Sequence, residues 1–270
     1  MTDWDDAYQN GKYISGGDGY LGMWKVKSAT YRESLPGARR EIGVAYGAHP
    51  REVYDLFLPE HTAKGVVIFI HGGYWQSLDQ TLWSHLAAGP MAHGWAVAMP
   101  GYPLCPEVGI AEITQSIVRA VATIGDKIAG EIILSGHSAG GHLTARMACD
   151  DIPLPHAARV RRYASISGVH DLRPLTRTGL NAALKLTMAS AAAESPALKT
   201  PRAGVELMAW VGEEERPEFL RQNNLLGNIW RGAFAKTGCV HAKGHHHFSV
   251  VGELAEAKSP LTKALVACLT

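Results

Sequence analysis

The chain has 270 residues, of which 46% are hydrophobic and 19% are charged, and this is enough apolar material for a sizeable core. The 26 Lys and Arg residues nearly balance the 25 Asp and Glu residues, which leaves a formal net charge of +1. These values exclude a wholly disordered chain, and they give no basic surface for nucleic acid or an anionic membrane.

The beginning of the chain lacks the features of a signal peptide. Its first residues are acidic, where a signal peptide would be basic and then apolar. The longest apolar run of the first half, 66–70, is far shorter than the roughly 20 residues that a membrane helix needs. We therefore expect a cytoplasmic protein with neither a nucleic-acid partner nor a membrane partner.

The predicted elements begin with residues 1–35, which are rich in aromatic side chains and have helical propensity. The segment 53–59 alternates apolar and polar residues, which is typical of a half-exposed antiparallel edge strand. Six further strands are predicted, at 66–70, 95–99, 131–135, 162–167, 205–211 and 239–242. Most of these runs are continuously apolar, which is typical of parallel strands with helices on both faces.

Helical patterns lie between these strands. Apolar residues within 107–125 recur at helical spacing and predict an amphipathic crossover helix. The alternation predicts an α/β fold with a mostly parallel, doubly wound sheet and helices on both faces. We expect one domain, residues 1–270, with 1–35 as an N-terminal helical segment. The alanine-rich stretch 172–203 lies between two strands, and we expect it to form a small cap over a site at the carboxyl edge.

Four cysteines are scattered along the chain without a C-x-x-C pair, at Cys105, Cys149, Cys239 and Cys268. A disulfide framework is typical of small secreted domains. We expect these residues to be buried free thiols.

The residues Gly136-His137-Ser138-Ala139-Gly140 fit the pattern G-x-S-x-G between an apolar strand and a helical stretch. The turn is so tight that a side chain at either flanking position would collide with neighbouring backbone. The serine hydroxyl is thereby held at the edge of the sheet, beside the N–H of Ala139. We predict that Ser138 is a nucleophile; the alternative is a glycine-rich turn whose serine only caps a helix.

A second glycine motif, His71-Gly72-Gly73-Tyr74-Trp75, also follows an apolar strand. Adjacent glycines allow backbone N–H groups to point into a cleft, and with the N–H of Ala139 they would form an oxyanion hole. We expect His71 to fix this loop. The predicted oxyanion-hole residues are Gly72, Gly73 and Ala139, and the candidate residues of the substrate pocket are Tyr74, Trp75 and Tyr102.

A serine becomes an effective nucleophile when a base takes its proton and a third group orients that base. In hydrolases with such a turn, the chain order is serine, acid, histidine. Candidate acids after Ser138 are Asp171, Glu213, Glu214 and Glu215. We favour Glu215 because a carboxylate three residues past the strand-ending Gly212 reaches back best toward the sheet edge; the other three stay open.

Three consecutive histidines, His245 to His247, follow the last predicted strand. They suggest a metal site, but adjacent residues rarely direct three rings at one ion, and no second carboxylate–histidine cluster supports such a site. We therefore predict no metal and take His247 as the base, with Phe248 as its apolar anchor.

The motifs at 71–75, 136–142 and 244–248 together resemble the kynurenine formamidase (arylformamidase)-like branch of the α/β-hydrolases. Segments 167–172 and 217–222 are similar to that branch too, so the resemblance covers most of the chain from about residue 50 to 255. It implies an α/β-hydrolase fold, a cap formed partly by the N-terminal segment and, often, a homodimer. By position, it implies Ser138 as nucleophile, His247 as base and Glu215, where the family usually has Asp, as acid.

The expected activity is hydrolysis of a small aryl formamide or a short-chain carboxylic ester through an acyl-enzyme, without a cofactor. A general carboxylesterase with no formamidase activity would use all of the same residues. A catalytically silent hydrolase fold that binds a small ligand is a third hypothesis. The presence of all three triad residue types and both glycine loops argues against it.

Overall fold

The computed structural model describes residues 3–267. Within this range one sheet is formed by eight strands: β1 Arg40–Ala45, β2 Val53–Phe57, β3 Gly65–Ile70, β4 Ala96–Pro100, β5 Glu131–His137, β6 Val160–Ile166, β7 Glu206–Gly212 and β8 Lys236–Ala242. Their order is β1-β2-β4-β3-β5-β6-β7-β8. Strands β1 and β2 are antiparallel to their neighbours, and the other pairs are parallel. The predicted α/β fold with a mostly parallel sheet is confirmed.

The same range contains nine α-helices: α1 Trp4–Ala7, α2 Tyr20–Ser34, α3 Ala88–Ala92, α4 Ile110–Lys127, α5 Ala139–Met147, α6 Asn181–Leu184, α7 Met188–Ala193, α8 Pro217–Gly232 and α9 Pro260–Val266. The apolar stripe of α4, predicted at 107–125, is fully buried at Ile113, Ile117 and Ile124. Such burial of one stripe stabilises an amphipathic helix far more than its intrinsic propensity does.

The outer edge of the sheet differs from the prediction. Segment 53–59 was expected to form a half-exposed edge strand, but β2 is largely buried because β1 pairs with it on its outer side. Strand β1 is not predicted from the sequence because its six residues are half-buried or exposed and include the polar Arg40 and Glu41. An edge strand of this kind lacks a clear apolar pattern.

Residues 172–203 form short helices that pack beside α5. His142 Nε2 donates a hydrogen bond to the Glu194 carbonyl oxygen at 2.7 Å, and Arg146 Nε lies 3.2 Å from a carboxylate oxygen of Glu194. Both contacts hold the segment against the flank of α5.

The cysteine prediction is only partly confirmed. Cys105 and Cys149 are buried, whereas Cys239 is an exposed thiol because it lies on β8, the outermost strand at its end of the sheet. Cys268 lies outside the described residues. Between residues 3 and 267, no helix combines the length and apolarity that crossing a membrane requires.

Candidate active site

Ser138 lies between the end of β5 and the start of α5 and has φ 56° and ψ −117°. A non-glycine residue at positive φ is strained, and such strain clusters at functional sites. The turn is held by the Ser138 N–H, which donates to Ile166 O at 2.8 Å. At Gly140 a Cβ would collide with the carbonyl oxygen of Ile70, so only glycine permits this close approach to β3. The serine is thus presented at the carboxyl edge of the sheet.

The loop after β3 lies directly against Ser138. A Cβ on Gly72 would be 3.1 Å from the Ser138 Cβ and 2.9 Å from the His137 carbonyl oxygen. Gly73 has φ 116°, which L side chains rarely adopt. Within residues 3–267, no hydrogen-bond acceptor is paired with the backbone N–H of Gly72, Gly73 or Ala139. The N–H groups of the three predicted oxyanion-hole residues are therefore without a described protein acceptor, and Gly72 and Gly73 line the same cavity as Ser138.

Glu215 and His247 are buried and in direct contact, with His247 Nδ1 2.6 Å from Glu215 Oε2. The other carboxylate oxygen, Oε1, accepts from the Gly212 N–H at 2.9 Å and from the Ser167 hydroxyl at 2.5 Å. Hydrogen bonds to an ionised acceptor are stronger than those between neutral groups, so this carboxylate is firmly held. Of the four candidate acids, Glu215 is the one that the structure places at His247.

The rival acids lie elsewhere. Asp171 pairs with Arg173 at 2.9 Å. Burial tends to raise the pKa of Asp171, but the hydrogen bonds from Arg173 and its charge outweigh that effect, so the pKa is lowered overall. Glu213 and Glu214 are exposed to solvent. None of these three side chains hydrogen-bonds the His247 ring in the described part of the chain.

His137 lies next to the candidate base. Its ring centre is 4.6 Å from that of His247, and its Nε2 donates to the His247 carbonyl oxygen at 2.9 Å. Burial holds the pKa of His137 well below its usual range. His137 therefore stays neutral and supports the backbone of His247 without placing a positive charge beneath the ring.

Sequence reasoning missed the structural roles of His137 and Ser167. His137 is the variable residue of G-x-S-x-G, and its contact with the last loop depends on tertiary structure. Ser167 could have been found from the sequence, because it ends the predicted strand 162–167, which precedes the predicted strand 205–211 that Glu215 follows.

The three consecutive histidines have different surroundings. His247 binds Glu215, whereas His246 Nε2 lies 3.1 Å from the Tyr20 hydroxyl. No three His, Cys, Asp or Glu side chains are grouped as metal ligands in the described range 3–267. The three rings therefore do not converge on one point.

A cavity of about 370 Å³ opens over Ser138 and His247. Its remaining lining residues are Gly11, Gly17, Asp18, Tyr20, Leu21, Trp24, Gly72, Gly73, Tyr74, Ser77, Leu78, Trp83, His137 and Phe248. No hydrogen bond joins the Ser138 hydroxyl to His247 within the described chain, although both side chains face this cavity. Aromatic rings thus form much of the wall around the serine and the histidine.

The cover of this cavity comes from residues 11–24. Segment 172–203 was predicted to form the cap, but none of its residues is among the described residues that line the cavity. The prediction of its position is wrong, because the segment packs along the flank of α5. A cover formed partly by the N-terminal segment agrees with what the resemblance implied.

Two of the three candidate pocket residues do not line the cavity. Tyr102 is fully buried and stacks on His71 at a centroid distance of 4.2 Å, with its hydroxyl donating to His71 O at 2.8 Å. Trp75 is buried and packs edge-to-face against His142 at 5.1 Å. Both predictions are wrong: these rings support the glycine loop from below. Tyr74 does line the cavity, and its hydroxyl donates to Tyr8 O at 2.7 Å.

His71 has the surroundings of a residue that fixes the loop. It is buried, and its Nδ1 donates to the carbonyl oxygen of Gly72 at 2.6 Å. Burial lowers the pKa of His71 to about 4, so its ring is neutral near pH 7.

The chain is similar to proteins of a known hydrolase family. The alpha/beta hydrolase family matches residues 67–268. The kynurenine formamidase of Danio rerio is 29% identical over 237 residues, which cover 83% of this chain and 80% of the relative. The kynurenine formamidase of Salmo salar is 28% identical, with 85% of this chain and 82% of the relative covered.

Among solved structures, a protein of Silicibacter sp. TM1040, provisionally described as a thioesterase, is 45% identical to this chain. The two superpose with a TM-score of 0.93, and the match covers 99% of this chain and 100% of the other. The fold therefore extends over nearly the whole of both chains.

Proposed function

The chain belongs to the alpha/beta hydrolase family and is a hydrolase, and from that premise we propose that it cleaves a small aryl formamide or a short carboxylic ester with Ser138, His247 and Glu215. The observation that carries this proposal is the buried 2.6 Å contact between His247 and Glu215 beside a cavity that Ser138 also faces. A histidine oriented by a buried carboxylate beside a serine that faces the same cavity can activate that serine.

In the proposed mechanism the Ser138 hydroxyl oxygen attacks the carbonyl carbon, and His247 accepts the hydroxyl proton. The N–H groups of Gly72, Gly73 and Ala139 stabilise the resulting oxyanion. His247 then gives its proton to the departing amine or alcohol, which leaves an acyl group on Ser138. Water, deprotonated by His247, attacks this acyl group, and the acid product leaves as the serine regains its proton.

Two observations support an aryl substrate with a small acyl group. Aromatic rings of Tyr20, Trp24, Trp83 and Phe248 line the cavity. A volume of about 370 Å³ is near the lower end of ordinary ligand pockets. The similarity to two kynurenine formamidases favours a formamide as the substrate.

Thioester hydrolysis is a second candidate, favoured by the 45% identity to a protein provisionally described as a thioesterase. A thioester would pass through the same acyl-enzyme, with a thiol leaving in place of an amine. The arrangement of serine, histidine and acid does not select among these leaving groups.

The test is a hydrolysis series with purified protein. N-formylkynurenine, phenyl thioacetate and the p-nitrophenyl esters of acetate, butyrate and octanoate are each assayed with the wild type and with Ser138→Ala. We expect N-formylkynurenine to be cleaved fastest, the ester rate to fall with acyl length, and Ser138→Ala to abolish turnover. Preference for short esters would replace the formamidase assignment by an esterase, and preference for the thioester would favour the second candidate. Undiminished turnover by Ser138→Ala would contradict the serine mechanism.

A further inference from the structure

Asn10, from the N-terminal segment, contacts the candidate acid. Its side-chain Nδ2 lies 3.4 Å from Glu215 Oε2, the same carboxylate oxygen that faces His247 Nδ1. Asn10 is only 3% exposed, so water does not readily replace this donor. The contact joins residues 205 positions apart in the chain.

A second hydrogen bond fixes the orientation of the Asn10 amide. Its Oδ1 accepts from the backbone N–H of Arg216, the residue after Glu215, at 2.9 Å. Because an N–H must face an oxygen acceptor, this bond places the NH₂ group of Asn10 toward Glu215. The Asn10 amide therefore hydrogen-bonds to both the backbone of Arg216 and the carboxylate of Glu215.

The N-terminal segment is anchored on both sides of Asn10. Before it, the Tyr8 hydroxyl donates to Glu218 on α8 at 2.9 Å. After it, Gly11 lines the cavity and leaves room for the Phe248 ring, which a Cβ would approach to 3.4 Å. The N-terminal segment that covers the cavity thus also contacts the Glu215–His247 pair.

We propose that Asn10 is a positioning residue that holds the His247-facing oxygen of Glu215 and so joins the cavity cover to the acid of the triad. This inference rests on the proposed function. A carboxylate that orients a histidine must keep its own orientation, and a supporting donor restricts its rotation. Asn10 itself would not touch substrate.

Other charged or titratable groups surround this pair and have to be kept constant in a test. They are His137 from β5, Tyr74 from the glycine loop, Glu214, Arg216, His245 and His246. Burial, with an added effect of the Glu215 charge, raises the pKa of Tyr74 to about 12, and burial keeps His137 neutral by lowering its pKa. Neither group changes charge between about pH 5 and 9.

The experiment measures kcat and KM for p-nitrophenyl acetate across that pH range with the wild type, Asn10→Asp, Asn10→Ala and Tyr8→Phe. Asn10→Asp retains an acceptor for the Arg216 N–H but puts a second carboxylate against Glu215. The pair of carboxylates and the imidazole then bind a proton more tightly, so the acidic limb of kcat/KM moves up by about one pH unit. Asn10→Ala lowers kcat about tenfold with little change in KM.

Tyr8→Phe is the matched control, because it loosens the same segment without removing a donor from Glu215. We expect its acidic limb to coincide with that of the wild type. The proposal is overturned if Asn10→Asp and Asn10→Ala both keep the wild-type kcat and pH profile, or if Tyr8→Phe shifts the limb as far as Asn10→Asp does. An active Ser138→Ala would instead overturn the proposed function, which keeps the two failures distinct. If Asn10→Asp does not fold, the kcat of Asn10→Ala decides.

Discussion

Ser167 donates a hydrogen bond to Glu215 Oε1 at 2.5 Å from the end of the neighbouring strand β6. The Gly212 N–H donates to the same oxygen at 2.9 Å, so the glutamate folds back onto its own strand end. The resemblance implied an aspartate here, and these two donors hold the glutamate, which is one methylene longer, so that its other oxygen lies at His247. The longer side chain is turned back and fixed at its far oxygen.

Glu215→Gln is expected to lower kcat strongly while the protein stays folded. Removal of the negative charge leaves the imidazolium unsupported, and the amide can favour the wrong tautomer of His247, at a cost of about 10³–10⁴ in kcat. Steady-state kinetics on the best substrate of the hydrolysis series provides the measurement. Glu214→Gln, at an adjacent exposed position, is the control and should keep near wild-type rates. Equal rates for the two variants would remove Glu215 from the triad.

Gly72→Ala is expected to impair catalysis more than stability. The new methyl group would lie 3.1 Å from the Ser138 Cβ, so the serine or the loop must shift by a few tenths of an ångström. Displacement of one oxyanion donor costs about 10²–10³ in kcat.

The control for this variant is Gly232→Ala, where a Cβ meets no described atom within 4 Å. Thermal unfolding and kcat are measured for both variants. A Gly72→Ala protein with wild-type kcat would show that this loop does not border the reacting carbonyl.

Asp18 is expected to make the cavity favour cationic over anionic substrates. It is the one acidic side chain among the described lining residues, which include no Lys or Arg. We expect 4-trimethylammoniophenyl acetate to be cleaved with a higher kcat/KM than 4-carboxyphenyl acetate, corrected for the reactivity of each leaving group. An exposed charge pair in water contributes about 1 kcal/mol, so Asp18→Asn should lower kcat/KM for the cationic ester about fivefold and reduce the preference accordingly.

Asp150→Asn is the control, because Asp150 is exposed and does not line the cavity. It should leave the ratio of the two rates unchanged. A carboxylated substrate that is preferred by the wild type would contradict the assignment of Asp18.

The buried histidines predict loss of stability in mild acid. Burial lowers the pKa of His71 to about 4 and the pKa values of His142 and His170 to about 3. In the unfolded chain histidine titrates near 6.5, so below that pH the unfolded state binds protons that the folded state does not. Each such histidine lowers the free energy of unfolding by about 1.4 kcal/mol per pH unit between about pH 6.5 and its folded pKa.

Urea unfolding at about pH 7.5, 6 and 5 measures this dependence. His170→Asn should reduce the slope by the contribution of one histidine, whereas His61→Asn, at an exposed position, should leave it unchanged. A free energy of unfolding that stays constant from pH 7 to 5 would show that these rings are protonated in the folded protein.

The parts of the site that the sequence predicted are those fixed by local geometry. The turn at Ser138 needs glycine at position 136, because the carbonyl oxygen of Gly140, only four residues on, lies 2.2 Å from where a Cβ would be. The order of strands likewise places the loops after β5, β7 and β8 at one edge. Ser138, Glu215 and His247 can therefore be selected from the sequence alone, and their catalytic roles stay predictions that the experiments above test.

The parts that the sequence did not predict depend on packing between distant segments. Tyr74 and Trp75 both adopt positive φ, 53° and 60°, and this turns Trp75 into the core. Non-glycine residues rarely adopt such a conformation, so no residue pattern reveals it. The contact of Asn10 with Glu215 spans 205 positions. The sequence predicts the cover at 172–203 because that insertion lies between two strands of the sheet, whereas the N-terminal segment reaches the site only through the fold.

Covalent labelling of Ser138 tests the central claim most directly. The protein is incubated with an alkyl fluorophosphonate, and intact mass and peptide mapping locate the adduct, with Ser138→Ala and Glu215→Gln in parallel. The account predicts one phosphonyl group per chain on Ser138, none on Ser138→Ala, and labelling slowed at least tenfold in Glu215→Gln. Labelling of another residue, or equal labelling rates for the wild type and Glu215→Gln, would contradict a nucleophilic serine activated by His247 and Glu215.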